Sequence, residues 1–355
     1  MTGKGHLERT DADPPSLEFG AVDLGQPFAK YDVLRRVRHE RKTARELAGR
    51  LREFRPGAVL SIAPLVVQLE LLRASRRAGA GFVFWQQDVM SSAARRVLGR
   101  RSHFVGAAAA MAVAGLERRL LRRSDAVVVI SEDFPQVGGP PVYVIENWAP
   151  LDELPVLPSN NEWAREHSLA GRAVFLYSGT LGFKHDPSLL LDLAHWASGR
   201  DALVVIVSEG PGADWLAERA RDEPALRLLP YQPYDRLPEV LASADVLVAV
   251  LEPEAGAFSV PSKVLTYLCV GRPLLVSVPA DNLAARVVER SGGGVVVRPG
   301  DTQAFLAAAE TLLGDPGLRA ELGGRARAYA EASFGVDAIA DRFEAVIERV
   351  TAARS

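Results

Sequence analysis

Two apolar rhythms alternate along this chain. From 33 to 54, Leu34, Val37, Ala44, Leu47, Leu51 and Phe54 recur at helical spacing, and Pro56-Gly57 ends that helix. Ala58 to Ile62 is a short apolar run that predicts a strand. A helix over 65–78, a strand over 81–85 and helical sequence over 91–123 follow. Runs at 125–130 and 142–145 are continuously apolar and rich in valine, as in strands buried on both faces. Residues 149–170 hold Pro150, Pro155 and Pro158, then Ser-Asn-Asn, and predict a linker. Beyond it the pattern restarts. Strands are predicted at 173–178, 203–207, 226–229, 245–251, 273–278 and 294–298. Helices are predicted at 187–198, 211–221, 235–243, 262–270, 282–291, 302–314 and 316–332. A last helix, 336–352, carries Ile339, Phe343, Val346, Ile347 and Val350 on one face.

Strands alternating with helices predict an α/β protein with two doubly wound, Rossmann-like domains. The expected division is an irregular polar arm over 1–30, a first domain over 31–150, a second over 151–335 and a closing helix over 336–355. Ligands of such sheets sit beyond the carboxyl ends of the strands, here expected in a cleft between the domains. No repeat of 20–50 residues is apparent.

Composition narrows the classes. The 355 residues are 48% hydrophobic and 24% charged, enough apolar content for sizeable cores. The longest uncharged apolar run, Phe104 to Leu116, is too short for a helical membrane span. The first 20 residues hold acids and prolines and no apolar core, so no secretory signal is expected. Cys269 is the one cysteine and the histidines show no paired ligand spacing, so neither a disulfide framework nor a metal site is expected, and no cofactor. A reducing cytoplasm is the expected location.

Charge changes the picture further. The net charge of −2 hides an asymmetry: residues 1–150 hold 23 Lys+Arg against 16 Asp+Glu, and the remainder 19 against 28. Residues 30–123 alone hold 21 basic and 7 acidic residues. Such a field gathers anions. Nucleic acid is not expected, because no nucleic-acid motif accompanies the charge. An anionic membrane surface, a diphosphate-bearing substrate and plain solvation of helix faces stay open.

Five stretches are candidates for chemistry. In Tyr177-Ser178-Gly179-Thr180-Leu181-Gly182-Phe183-Lys184-His185-Asp186-Pro187, a strand runs into two glycines, a lysine and a helix-opening proline. Glycines admit a ligand to the backbone and Lys184 puts a cation beside it, as a diphosphate grip requires. An ordinary strand-to-helix turn has the same outline. Ser208-Glu209-Gly210-Pro211-Gly212 repeats the arrangement after the next strand. In Phe258-Ser259-Val260-Pro261-Ser262-Lys263, Ser262 is a good N-cap for an apolar helix. The partial positive charge at that helix start, about half an elementary charge, adds to Lys263. Gly256 and Ser259 leave the preceding loop room for a sugar. Asp88, in Trp85-Gln86-Gln87-Asp88, can contact a sugar hydroxyl or cap the next helix. Glu146-Asn147-Trp148 marks the domain junction, where Trp148 packs a hinge more readily than a ligand.

Together these stretches, with Leu229-Pro230-Tyr231-Gln232-Pro233, Ser243-Ala244-Asp245 and Gly271-Arg272-Pro273, resemble glycosyltransferase family 4, of the GT-B fold. The likeness is closest to bacterial members that build surface polysaccharides or sugar-decorated lipid carriers. It covers 142–345 well and 33–135 more thinly. It implies transfer of a sugar from a nucleotide-sugar donor to a sugar or lipid-linked acceptor, with retention and without a metal. By position it implies that Gly179, Gly182 and Lys184 meet the diphosphate and that Ser208, Glu209 and Gly210 line the nucleotide. Gln232 and Pro233 would lie near the base, and Ser259, Ser262, Lys263 and Thr266 would complete the donor site. Fixed cations would then do a metal's work on the leaving diphosphate.

The chain departs from the family pattern twice. Two glutamates with seven residues between them, common in the family, fall here on Phe258 and Thr266, leaving Glu254 as a substitute carboxylate beside Asp88. The first strand, glycine turn and helix of a complete N-terminal domain have no counterpart in 1–30, so the first domain is expected to lack one or two units. The rival reading is a non-catalytic nucleotide-sugar-binding or assembly protein. A sugar-nucleotide epimerase would need better-placed acid and base carboxylates.

Overall fold

A computed structural model of the chain describes residues 14, 16–18, 20–25, 33–91, 103–134, 138–182, 185–253 and 262–354. Its contacts divide the chain into two units, Met1–Ile145 with Arg342–Ser355, and Glu146–Asp341.

In the first unit, α1 (Val33–Phe54), β1 (Ala58–Ser61), α2 (Leu65–Ala78), β2 (Gly81–Gln86), α3 (His103–Arg123), β3 (Ala126–Val129) and β4 (Val142–Val144) follow the predicted order. Part of the predicted helical stretch, 92–102, lies outside the described residues. The four strands form a parallel sheet in the order β1-β2-β3-β4. Alternation along β2 sends successive side chains to opposite faces. Gln86 reaches Glu117 of α3 on one face. On the other, Trp85 stacks 4.8 Å from Phe343, and a side chain at Gly81 would stand 2.3 Å from Val350.

Phe343 and Val350 belong to α12 (Val336–Ala352), so the closing helix is not a separate element. It begins in the second unit, and from Arg342 onward it packs on the first. Its apolar face, legible as a face, is spent on a sheet more than 190 residues earlier in the chain, a pairing that spacing alone cannot reveal. Arg342 donates to the Val144 carbonyl, and Arg354 to Asp125 at 2.7 Å.

The second unit holds α4 (Glu162–Glu166), β5 (Ala173–Ser178), α5 (Pro187–Ala197), β6 (Ala202–Val207), α6 (Pro211–Arg219), β7 (Leu226–Leu229), α7 (Leu237–Ala242) and β8 (Val246–Val250). Next come α8 (Ser262–Cys269), β9 (Leu274–Ser277), α9 (Leu283–Ser291), β10 (Gly294–Val297), α10 (Thr302–Gly314) and α11 (Pro316–Ser333). The parallel sheet runs β10-β9-β8-β5-β6-β7. Both faces are covered. Val174, Leu176, Leu203, Val205 and Leu247 enter one core, and Phe175, Tyr177, Val204, Ile206 and Val248 the other. Those alternate memberships explain the unbroken apolar runs in the sequence. Helix starts are set by side chains: Asp186, Asn282, Asp301 and Asp315 each accept a backbone N–H two or three residues ahead.

The expected linker at 149–170 is built into the second unit. Leu154 and Leu169 are each 2% exposed and Trp163 is 1% exposed, within one core cluster. Asn161 caps α4 and donates to the Glu239 carbonyl at 2.9 Å and Ser243 Oγ at 3.0 Å. The three prolines do break periodicity, but isolated anchors on irregular backbone leave no periodic trace. No described helix is long and apolar enough to cross a membrane.

Trp163 Nε1 donates to Gln232 Oε1 at 3.0 Å while its ring is buried. Trp163→Ala is expected to lower the unfolding free energy by about 3–5 kcal/mol. Chemical denaturation of the full chain checks this; a loss under about 1 kcal/mol would mean that the segment is peripheral after all.

Candidate active site

Strand order in the second sheet reverses between β5 and β8. Chain leaving β5 crosses towards β6, and chain leaving β8 crosses towards β9, so a crevice opens at their carboxyl ends. Ser178-Gly179 follows β5 there, and α8 begins with Ser262-Lys263 after β8.

One side chain locks these two elements together. Tyr267 of α8 accepts from Ser178 N at 2.8 Å and donates to Ser178 O at 3.0 Å. Burial raises its pKa above the usual phenol value, so the hydroxyl stays neutral and can both give and accept. Lys263 lies one turn back on the same helix face. Its Nζ is closed off from solvent and sits 3.5 Å from the centroid of the Tyr177 ring. This is a cation–π contact. Tyr177 is buried too, with its pKa raised by that burial first and by Tyr267 and Tyr231 next, and its hydroxyl donates to the Thr180 carbonyl at 3.0 Å.

Gly179 makes the approach possible. Its φ is +126°, and a Cβ there would stand 3.2 Å from Lys263 Cε and 3.3 Å from Nζ. Any side chain would be strained and would press on the lysine.

The neighbouring tips join on. Leu181 N lies 3.1 Å from Ser208 Oγ and 3.3 Å from the Glu209 carbonyl, and Gly212 N donates to the Leu181 carbonyl at 2.9 Å. Gly210 has φ +111°, and a Cβ there would sit 3.2 Å from Leu181 O. The loops after β5 and β6 therefore interlock through backbone. Thr180 Oγ1 meets the Tyr231 hydroxyl at 2.5 Å, tying in the tip after β7. Gly182 N donates to Nδ1 of the buried His185 at 3.1 Å.

Gly179, Gly182, Ser208, Glu209, Gly210 and Lys263 are thus gathered at adjacent tips of one sheet. Gln232 stands beside them, but its amide oxygen is taken by Trp163 and its Nε2 donates to the Pro230 carbonyl at 3.0 Å. Ser262 is the exposed first residue of α8, and Thr266 is half-buried on the same helix. Lys184, Glu254 and Ser259 lie outside the described residues. Asp88 is an exposed residue of the turn after β2, in the first unit.

Three contributions were not legible in the sequence. Tyr177 and Tyr267 sit inside the quoted motifs, but their partners, the Lys263 ammonium and the Ser178 backbone, lie far away in the chain. Glu117 gave a weak sign, as the one acid of α3. Buried there, it accepts from Met90 N at 2.8 Å, Ser91 N at 3.3 Å and Ser91 Oγ at 2.9 Å, and so fixes the chain just after Asp88. Cys269 offers no nucleophile: burial pushes its thiol up to about 12.

A family model described as "Glycosyl transferases group 1" matches residues 172–315, which take in every tip just described. A relative from Escherichia coli (strain K12), "Putative colanic acid biosynthesis glycosyl transferase WcaI", is 24% identical over 269 residues, 72% of this chain and 66% of that protein. The chain thus spans just under two thirds of the length of that relative. Among solved structures, sucrose-phosphate synthase from Thermosynechococcus elongatus matches with a TM-score of 0.72 at 16% identity, over 97% of this chain and 87% of that one. Anabaena Alr3699/HepE in complex with UDP-glucose matches with a TM-score of 0.69 at 16% identity, over 86% and 82%.

Tyr267→Phe leaves the ring in place and deprives a peptide of both hydrogen bonds. Stability is expected to fall by about 1–3 kcal/mol, read from thermal or chemical denaturation. Unchanged stability would mean that Ser178 is satisfied by water and that α8 is not fastened through this hydroxyl.

Proposed function

We propose that this chain, of GT-B fold and with residues 172–315 forming a group 1 glycosyl transferase domain, transfers a sugar from a nucleoside-diphosphate sugar to a sugar or lipid-linked acceptor in polysaccharide assembly. The observation that carries the reading is Lys263, held over Tyr177 beside a bare glycine backbone at the point where strand order reverses. A diphosphate has the charge for that cation and the size for that glycine. HepE, of similar fold, has been captured with UDP-glucose, which makes uridine diphosphate the first donor to test. WcaI is named for colanic acid biosynthesis, which supports a polysaccharide setting; the cytoplasmic face of the membrane is where this reading puts the reaction.

In this reading the bond from the anomeric carbon to the diphosphate oxygen breaks while the acceptor hydroxyl oxygen bonds to that carbon, with retention, and the hydroxyl's proton passes to the departing diphosphate. Negative charge grows on the leaving diphosphate. Lys263 and Lys184 neutralise it, assisted by the start of α8, without a metal. The loop Ser208-Glu209-Gly210 borders the nucleoside. Thr266 supplies a hydroxyl to the donor, and Gln232 braces the tip near the base through Trp163. Asp88 and Glu254 are the carboxylates assigned to the acceptor hydroxyl, and Glu117 positions the turn that carries Asp88.

Calorimetric titration tests the grip. Lys263→Ala and Lys184→Ala are each expected to weaken UDP roughly 10–100-fold, the worth of one charge-assisted hydrogen bond, and to leave uridine binding nearly unchanged. Sugar transfer by the unaltered chain is expected to survive chelation of divalent metals. UDP affinity unmoved by both substitutions would remove the diphosphate assignment. Binding with no turnover across acceptors would favour a non-catalytic role.

A further inference from the structure

The basic region 30–123 is not uniform. On α1, Arg36 pairs with Glu40 at 2.8 Å and Arg50 with Glu46 at 2.7 Å, and Lys42 donates to the Asp23 carbonyl. Arg38, Arg41 and Arg45 face solvent there, but among the described residues of α1 the one exposed large apolar side chain is Phe54, at the far end of the helix. The pair α2 and α3 is different. Arg76 is held by Asp125 at 2.9 Å and fastens the two helix ends. Among the described residues, Arg77, Arg119, Arg122 and Arg123 form no ion pair and are exposed.

Apolar side chains stand in line with these cations. The outward face of α3 reads Ala108, Met111, Ala112, Gly115, Leu116, then Arg119, Arg122 and Arg123, at three- and four-residue steps. Met111 is 69% exposed and Leu116 43%. A shallow groove between α2 and α3 is lined by Leu69, Leu72, Leu116, Arg77, Arg119 and Arg123. A cation at the end of a helix is favoured by the helix dipole, but that accounts for one or two arginines, not for four beside an exposed methionine and leucine.

We propose that this face docks on an anionic lipid bilayer. Met111 and Leu116 enter the headgroup layer, and the four unpaired arginines meet lipid phosphates. A nucleic-acid backbone would satisfy the arginines and leave the apolar stripe without a partner; a bilayer interface satisfies both. Docking deepens the transferase reading, since it would hold the enzyme where a lipid-linked acceptor resides, but the binding itself stands independently of that reading.

Co-sedimentation of the full chain with vesicles tests it. Wild-type protein is expected to bind mixed phosphatidylglycerol–phosphatidylcholine vesicles, to bind pure phosphatidylcholine far less, and to be released by high salt. Arg119→Ala/Arg123→Ala is expected to cut partitioning roughly 25-fold, at about five-fold for each arginine. Met111→Ser/Leu116→Ser should weaken binding while keeping its salt dependence, and Arg38→Ala/Arg41→Ala should change it little. Equal binding to both vesicle types, undiminished binding by the α3 double variants, or tighter binding to duplex DNA than to anionic vesicles would overturn the proposal. UDP titration of the same variants separates the two readings: docking lost with UDP affinity retained leaves the donor site standing, and vesicle binding by a chain that ignores UDP supports docking alone.

Discussion

One phenolic hydroxyl sets the geometry on which the site depends. Tyr267 closes both hydrogen bonds of the Ser178 peptide and so fixes α8 against the end of β5. Lys263, four residues earlier on the same helix, then lies over the Tyr177 ring and against Gly179. Burial keeps both phenols protonated. Both hydroxyls therefore stay neutral through the neutral pH range and keep their hydrogen bonds. In a buried setting an ammonium is costly unless something answers it, and the ring face answers part of that cost before any ligand arrives.

The rest of the second unit serves this arrangement. Reversal of strand order supplies the crevice, and backbone bonds between Leu181, Glu209 and Gly212 make the tips after β5 and β6 a single piece. Thr180 and Tyr231 extend it to the tip after β7, and Trp163 with Gln232 backs that tip from the segment before the sheet. Loops at sheet tips are usually the mobile part of an α/β protein. Here they are tied by backbone and buried side chains, the rigidity a preorganised electrostatic site requires.

The fold was readable because each of its signals is local. Unbroken apolar runs such as Ala202–Val207 report strands covered on both faces, and helix starts were marked by Asp186, Asn282, Asp301 and Asp315. What escaped depends on long separations. The closing helix shows its apolar face plainly but not that the face belongs to Trp85 and Gly81. The proline-rich segment before β5 resembles a linker because its anchors, Leu154, Trp163 and Leu169, follow no period. At the sheet tips, Gly179, Gly210 and Lys263 stand in motifs that turn chemistry picks out. The tyrosines are not picked out this way, since a hydroxyl that serves a backbone peptide 89 residues away has no signature in spacing.

The two units divide the electrostatic labour. The first carries an excess of arginine that it only partly pairs; the second is acidic overall and has two lysines, of which Lys263 lies at the sheet tips. The account stands on where a diphosphate settles, and a crystal structure of the full chain with UDP measures that directly. The account predicts phosphate oxygens about 3 Å from Lys263 Nζ, over Gly179 and facing the start of α8. A diphosphate bound anywhere else, including among the arginines of α2 and α3, with Lys263 still over the Tyr177 ring, would contradict it.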